Sequence, residues 1–261
     1  MKKFLTVALA GVLAASMLFT GCSKKAESKV PDKLIVGTNA EFPPFEYMND
    51  KKQPEGFDIA MIKEIGKRMG KKVEIKNMEF KSLIGAMESD SINAIIAGMT
   101  KTEKREKAVD FSDSYYTTNQ AIILKKDSKI TKLAQLDGKK IGVQEGTTGD
   151  LISSGDKFGD GKKAKVLVKG AKVKRFKKGV DAVMDLKNGS VDAVVIDELT
   201  ANEFVKKNAK KLKIVIDSAG SEYYCIALTK GNTAYKEEVN KQIKAIKEDG
   251  TYDKLKAKYI D

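Results

Sequence analysis

Apolar positions along the chain follow two alternating rhythms. Leu34-Ile35-Val36, closed by Gly37, reads as a short buried strand, and Val73-Glu74-Ile75-Lys76 alternates like a strand with one covered face. Between them Ile59, Ile62, Ile65 and Met69 recur near helical spacing from Asp58 until Gly70 stops the pattern. Ser82–Met87 reads as a short helix and Ile92–Ala97 as a buried strand. The order then restarts. Ala121–Leu124 is a strand, Leu133–Leu136 a helical turn, and Asp137-Gly138 turns the chain into the strand Ile141–Val143. Val166–Val168, Val191–Ile196, Ile214–Ile216 and Tyr224–Leu228 are further strands, with a helix over Val180–Leu186. Two helical stretches, Ala234–Lys247 and Tyr252–Tyr259, close the chain around Asp249-Gly250. Helices alternating with short strands predict parallel α/β layers in two units. All four prolines lie before residue 55, so no proline-rich linker separates the units and ordered strands are expected to join them.

The first residues have a different character. Met1-Lys2-Lys3 is a basic head, Phe4–Phe19 is apolar with small residues, and Thr20-Gly21-Cys22 follows. The run is short for a membrane span and reads as a secretory signal. Its end resembles the lipobox of bacterial lipoproteins, although Phe19 stands where Leu is usual, with Leu18 one position earlier. The resemblance implies cleavage before Cys22, acyl chains on Cys22, and a cell-membrane location, lipid-anchored on the extracytoplasmic face. Several acyl chains give durable attachment where one is marginal. The polar stretch 22–32 reads as the tether. Cys225, in Tyr224-Cys225-Ile226-Ala227-Leu228, is then without a partner and reads as a buried small hydrophobe.

Composition narrows the chemistry. There is no His, which removes Ser-His and Cys-His nucleophile pairs and His-bearing metal sites. No metal or cofactor site is expected, and Asp156 and Asp160 do not fill a calcium loop. The net charge of +13 is concentrated in Lys162–Lys178. That run lacks an aromatic platform apart from Phe176, so a solvated face near an anionic cell surface fits better than nucleic-acid binding.

Five segments carry candidate chemistry. In Gly37–Glu46 the prolines fix a loop, and Phe42 suits either a core contact or the wall of a ligand site, while Phe45 suits the core. Phe80 opens a second loop, with the same two readings. In Ala97–Arg105, Gly98 permits close backbone approach and Thr102 suits a helix start that puts Arg105 on the first turn. An arginine fork matches a carboxylate through two hydrogen bonds, yet a surface arginine is the simpler reading from composition. Gly142–Gly149 ends a strand and opens a helix without the ending of a phosphate loop. Asp197 ends a strand, where it can bind an ammonium group or, more simply, cap the next helix.

Taken in order, these segments resemble the extracellular solute-binding proteins of family 3, the polar amino-acid receptors of ABC importers. The most specific parts are Gly37–Phe45, Gly56-Phe57-Asp58, Ala97–Arg105, Asp110-Phe111-Ser112, Gly146–Gly149, Val191-Asp192-Ala193 with Asp197, and Asp249–Tyr252. The resemblance implies the two-lobed, type II periplasmic-binding-protein-like fold, with two hinge strands and a ligand cleft. Lobe one would be 33–118 plus 224–261, and lobe two 119–223. It implies that Phe42 and Phe80 sandwich the ligand side chain and that Arg105, helped by Gly98, Met99 and Thr100, grips the α-carboxylate. Thr147 and Thr148 would add donors, and Asp197 would pair with the α-ammonium. Many members carry Asp where this chain has Asn39, which weakens a cationic ligand; Glu41 and Gln144 are candidates for the missing polarity. Arginine, glutamine and cystine all remain candidates. The implied partners are that amino acid, an ABC transporter permease and the membrane, for a monomer that does not act on nucleic acid. No enzyme activity is expected. The alternative is a dehydratase-like enzyme on the same scaffold, acting on a small carboxylate through Glu198 or Glu145.

Overall fold

Two long strands organise the molecule. In the computed structural model, which describes residues 28–158 and 165–261, the chain runs through β1 (Lys33–Thr38), β2 (Glu41–Phe42), β3 (Glu46–Met48), β4 (Pro54–Glu55), α1 (Phe57–Arg68), β5 (Lys72–Asn77), α2 (Leu83–Glu88), β6 (Ala94–Ile95) and α3 (Glu103–Glu106) to the 17-residue β7 (Val109–Lys125). It continues through β8 (Lys140–Gln144), α4 (Thr148–Ser153), β9 (Lys157–Phe158), β10 (Lys165–Val166), β11 (Lys172–Phe176), α5 (Gly179–Asn188), β12 (Ala193–Asp197) and α6 (Glu198–Lys206) to the 18-residue β13 (Leu212–Thr229). Helices α7 (Thr233–Glu248) and α8 (Thr251–Tyr259) close it. The signal segment, Cys22, the first part of the tether, Asp160 and the start of the basic run, residues 162–164, lie outside the described residues.

The eight-stranded sheet has the order β11-β8-β12-β7-β13-β6-β1-β5. The pairs β1–β5, β1–β6, β8–β11 and β8–β12 are parallel, as the α/β alternation predicts. The two central strands are not: β7 and β13 pair antiparallel with each other, and β13 pairs antiparallel with β6 as β7 does with β12. Ile214–Ile216 and Tyr224–Leu228, read above as separate strands, are the two ends of β13. Register is interrupted between Asp217 and Glu222, opposite Gln120 and Thr118 of β7. On one side of that break the pair joins β6, β1 and β5; on the other it joins β12, β8 and β11. The sheet therefore has two halves joined by two continuous strands.

The largest apolar cluster runs through both halves, from Leu34 and Phe57 to Leu186, Val194 and Phe204, and two smaller clusters each stay within one half. Phe57, Met61, Ile62 and Ile65 of α1 lie on one stripe and pack against Leu34 and Val36 of β1. Gly56 starts this helix at φ +125°, where a Cβ would stand 2.2 Å from the Phe45 carbonyl oxygen, so glycine is required. Ile122, Leu124, Ile141, Val143, Ala193 and Val195 fill the other half. Cys225 is a buried free thiol in a third cluster, as its apolar run predicts, and burial pushes it up to about 11. The basic run is not simply a solvated face. Lys172–Phe176 is an edge strand of the main sheet, Lys174 pairs with Asp185, and Arg175 pairs with Asp150.

Candidate functional site

The cleft opens where the two halves face each other across the middle of β7 and β13. Asn39, Phe42, Phe80, Ala97, Gly98, Thr100 and Arg105 line it from one half, and Thr147, Thr148 and Asp197 from the other. Strand ends supply most of these residues, as expected for open α/β sheets.

Arg105 is not a surface residue. The Thr102 hydroxyl caps α3 by accepting the Arg105 N–H at 3.3 Å, and the side chain turns inward until only 7% of the residue is exposed. Nη1 donates to the Thr100 carbonyl at 2.5 Å, and Nη2 donates across the cleft to the Gly146 carbonyl at 3.0 Å. The guanidinium carbon lies 5.3 Å from the centre of the Phe80 ring. Burial lowers its pKa to about 10, against the opposing pull of Glu222 and Asp197, so it stays charged at neutral pH.

Asp197 holds the N-cap position of α6, but its side chain makes no capping hydrogen bond. Its Oδ1 accepts from Gln120 Nε2 at 2.7 Å, and its Oδ2 accepts a short hydrogen bond from the Tyr224 hydroxyl. Burial and then the neighbouring Glu222 charge push it up to about 8. Glu222 itself, 1% exposed, went unrecognised in the sequence. Its Oε2 accepts from the hydroxyls of Thr100 and Thr148, at 2.5 and 2.7 Å, and its Oε1 from Gln120 Nε2 at 2.5 Å. Burial raises its pKa. Gln120 and Tyr224 also went unrecognised as site residues. The sequence carried no clear signal for them: Tyr224–Leu228 is buried on both faces, and Gln120 lies on the other long strand, β7.

The remaining candidates divide. Phe42 is buried and lines the cleft, while Phe45 is core. Gly98 sits at φ +50°, and a Cβ there would stand 3.3 Å from the Phe42 and Tyr224 rings. Its N–H donates to Asp58 Oδ2 at 2.8 Å and is therefore already engaged. Met99, on the opposite face from Gly98 and Thr100, lies in a core cluster instead of the cleft. Thr147 caps α4, accepting from the Asp150 N–H. Asn39 donates to the Met78 carbonyl at 2.7 Å and accepts from Gln144 Nε2 at 2.8 Å across the cleft. The second oxygen of that network, Gln144 Oε1, is buried without a partner. Glu41 is outside the lining and pairs with Lys178. Glu145 pairs with Lys81, and Glu198 accepts from Asn119, so neither acid named for an enzyme faces the cleft.

A buried cation and a buried carboxylate on neighbouring walls, with a second carboxylate behind them and aromatic rings beside them, can receive a small molecule that carries both charges. Known proteins agree with that chemistry. The family model for bacterial extracellular solute-binding proteins, family 3, matches residues 34–261. The chain is 33% identical to an arginine-binding extracellular protein, ArtP, of Bacillus subtilis, over 100% of this chain and 98% of that one. Among solved structures, an ancestral arginine-binding protein bound to arginine is 40% identical with a TM-score of 0.77, covering 89% of this chain and 100% of its own. An ancestral arginine-binding protein bound to glutamine is 41% identical with a TM-score of 0.77, covering 89% and 99%. The chain belongs to the bacterial extracellular solute-binding proteins of family 3.

Proposed function

We propose that the chain is an extracytoplasmic receptor that captures a polar amino acid in this cleft and delivers it to the permease of an ABC transporter. One observation carries the reading: Arg105 and Asp197, both buried, approach one cleft from opposite halves of the sheet. A zwitterion has a carboxylate for the first and an ammonium for the second. An unmatched charge in a closed cleft is costly, so a ligand bearing both is favoured over one bearing either alone. Because the two groups belong to different halves, the ligand completes its contacts only when the halves are together, and it selects that state.

Lobe one would comprise 33–118 plus 224–261 and lobe two 119–223. Phe42 and Phe80 would wall the ligand side chain, whose tip would lie toward Asn39 and Gln144. The amide of Asn39, which lines the cleft, suits the nitrogen-bearing tails of arginine and glutamine better than the disulfide of cystine, while Gln144 lies behind it and outside the lining. The likeness to arginine-binding relatives, one of them solved with glutamine, supports the same two candidates. Acylation at Cys22 would hold the receptor at the outer face of the membrane, near its permease.

A thermal-shift screen of arginine, glutamine and cystine against the wild type, Arg105→Ala and Asp197→Ala tests the reading. One amino acid should raise the wild-type melting temperature with concentration. Each variant should bind it more weakly by about 2–5 kcal/mol, because each strands a charge of the buried ligand. Wild-type affinity in both variants, or turnover of a small carboxylate, overturns the assignment.

A further inference from the structure

The cleft and the layer directly behind its wall hold one more buried charge than an amino acid's two ends require. Glu222 is outside the lining and lies behind Thr100 and Thr148, whose hydroxyls donate to it. Arg105 supplies one positive charge, and Asp197 and Glu222 supply two negative ones. We propose that Glu222 is the second carboxylate of the ammonium subsite, acting with Asp197 as a pair that exchanges a bound proton for the ligand's α-ammonium. This rests on the amino-acid receptor reading and extends it.

The geometry joins the two acids. One amide nitrogen, Gln120 Nε2, donates to Asp197 Oδ1 at 2.7 Å and to Glu222 Oε1 at 2.5 Å. Every donor on Glu222 is neutral: the hydroxyls of Thr100 and Thr148 and the Gln120 amide. Asp197 has only Gln120 and the Tyr224 phenol. Neither acid has a salt bridge among the described residues, and the Arg105 hydrogen bonds go to carbonyls of Thr100 and Gly146. The charged and titratable groups around the pair are Arg105 from α3, Tyr224 from β13 itself, and Glu46 of β3, whose own carboxyl the Asp197 charge raises. No lysine among the described residues is a partner of either acid.

Two carboxylates this close repel one another when both are ionised, and burial adds to that cost. Both are held above the ordinary carboxylate range, Asp197 at about 8. In the empty cleft at neutral pH the pair therefore keeps a proton. The ligand's α-carboxylate goes to Arg105, leaving its ammonium facing the pair. The ammonium takes over the neutralising role, and the displaced proton leaves to bulk water. Affinity then rises with pH between about 6 and 8 as the cost of removing that proton falls.

Isothermal titration of the lipid-free full chain with arginine and with glutamine, in buffers of different ionisation enthalpy, reads the proton directly. At pH 7 the wild type should release part of a proton per ligand bound, and its affinity should climb about tenfold from pH 6 to pH 8. Glu222→Gln keeps the shape and the threonine contacts. It should bind about tenfold or more weakly and lose most of the proton release and the pH slope. Wild-type binding without proton release overturns the proposal even if the variant fails to fold. So does a variant that binds as tightly as the wild type, or more tightly, the second result marking Glu222 as an obstacle to the ligand. A wild type that binds neither amino acid defeats the receptor reading for these candidates as well.

Discussion

At the scale of single residues, buried ionisable groups set the chemistry. Besides Asp197 and Glu222, Glu46 and Asp58 meet in the interior: burial, then Asp58, holds Glu46 well above its ordinary range, and burial holds Asp58 at about 6. Asp58 in turn anchors the Gly98 N–H and the Tyr115 hydroxyl, at 2.8 and 2.7 Å. All four acids are raised, so the folded state binds more protons than the unfolded chain between about pH 4 and pH 8. Stability falls with rising pH wherever the folded state holds the extra protons. The ligand-free protein should have a higher urea midpoint at pH 5 than at pH 8, and Glu46→Gln should flatten that slope. A midpoint that rises from pH 5 to pH 8 contradicts the account. Arg105 and Asp197 stood out in the sequence only through the ordered motifs of the family resemblance, since composition alone made one a surface residue and the other a helix cap. Glu222 did not stand out, because its partners come from three other segments, Thr100, Gln120 and Thr148, that only the fold brings together.

At the scale of elements, local pattern located most helices and strands but not their joining. The stretch Asp217–Ser221 broke the apolar pattern, so β13 read as two strands; its pairing with β7 on both sides of the break makes it one. The basic run hid the edge strand β11, because alternation is weak where both faces of a strand are largely solvated. That strand's end also carries the rim of the cleft. Lys177 pairs with Glu79 at 2.6 Å, Lys178 with Glu41 at 2.7 Å, and Lys81 with Glu145 at 2.5 Å, all three joining the two halves. Exposed pairs of this kind contribute little individually and are screened by salt. Reversing Lys177 and Lys178 to Glu should therefore reduce ligand affinity by about tenfold at low salt and much less at 0.5 M, roughly one Debye length below 5 Å. A loss of several hundredfold that persists in salt would show that the rim governs closure, against the view that the ligand does.

At the scale of the whole molecule, two halves share two strands and an interior cleft lined by buried Arg105 from one half and buried Asp197 from the other. Family membership and the sheet halves follow from order and spacing along 34–261, which is why the architecture was legible from sequence. The identity of the side-chain end was not, since Asn39 and Gln144 spend most of their hydrogen bonds on each other, Met78 and Lys177. The claim on which the rest depends is that the buried guanidinium reads the α-carboxylate. The direct measurement is a calorimetric comparison of arginine with argininamide, and of glutamine with its α-amide, on the wild-type protein. The amide keeps the ammonium and side chain and removes only the carboxylate charge. It should bind the better of the two amino acids' sites at least about a hundredfold more weakly, consistent with a stranded buried charge. An amide that binds within tenfold of its amino acid contradicts the account.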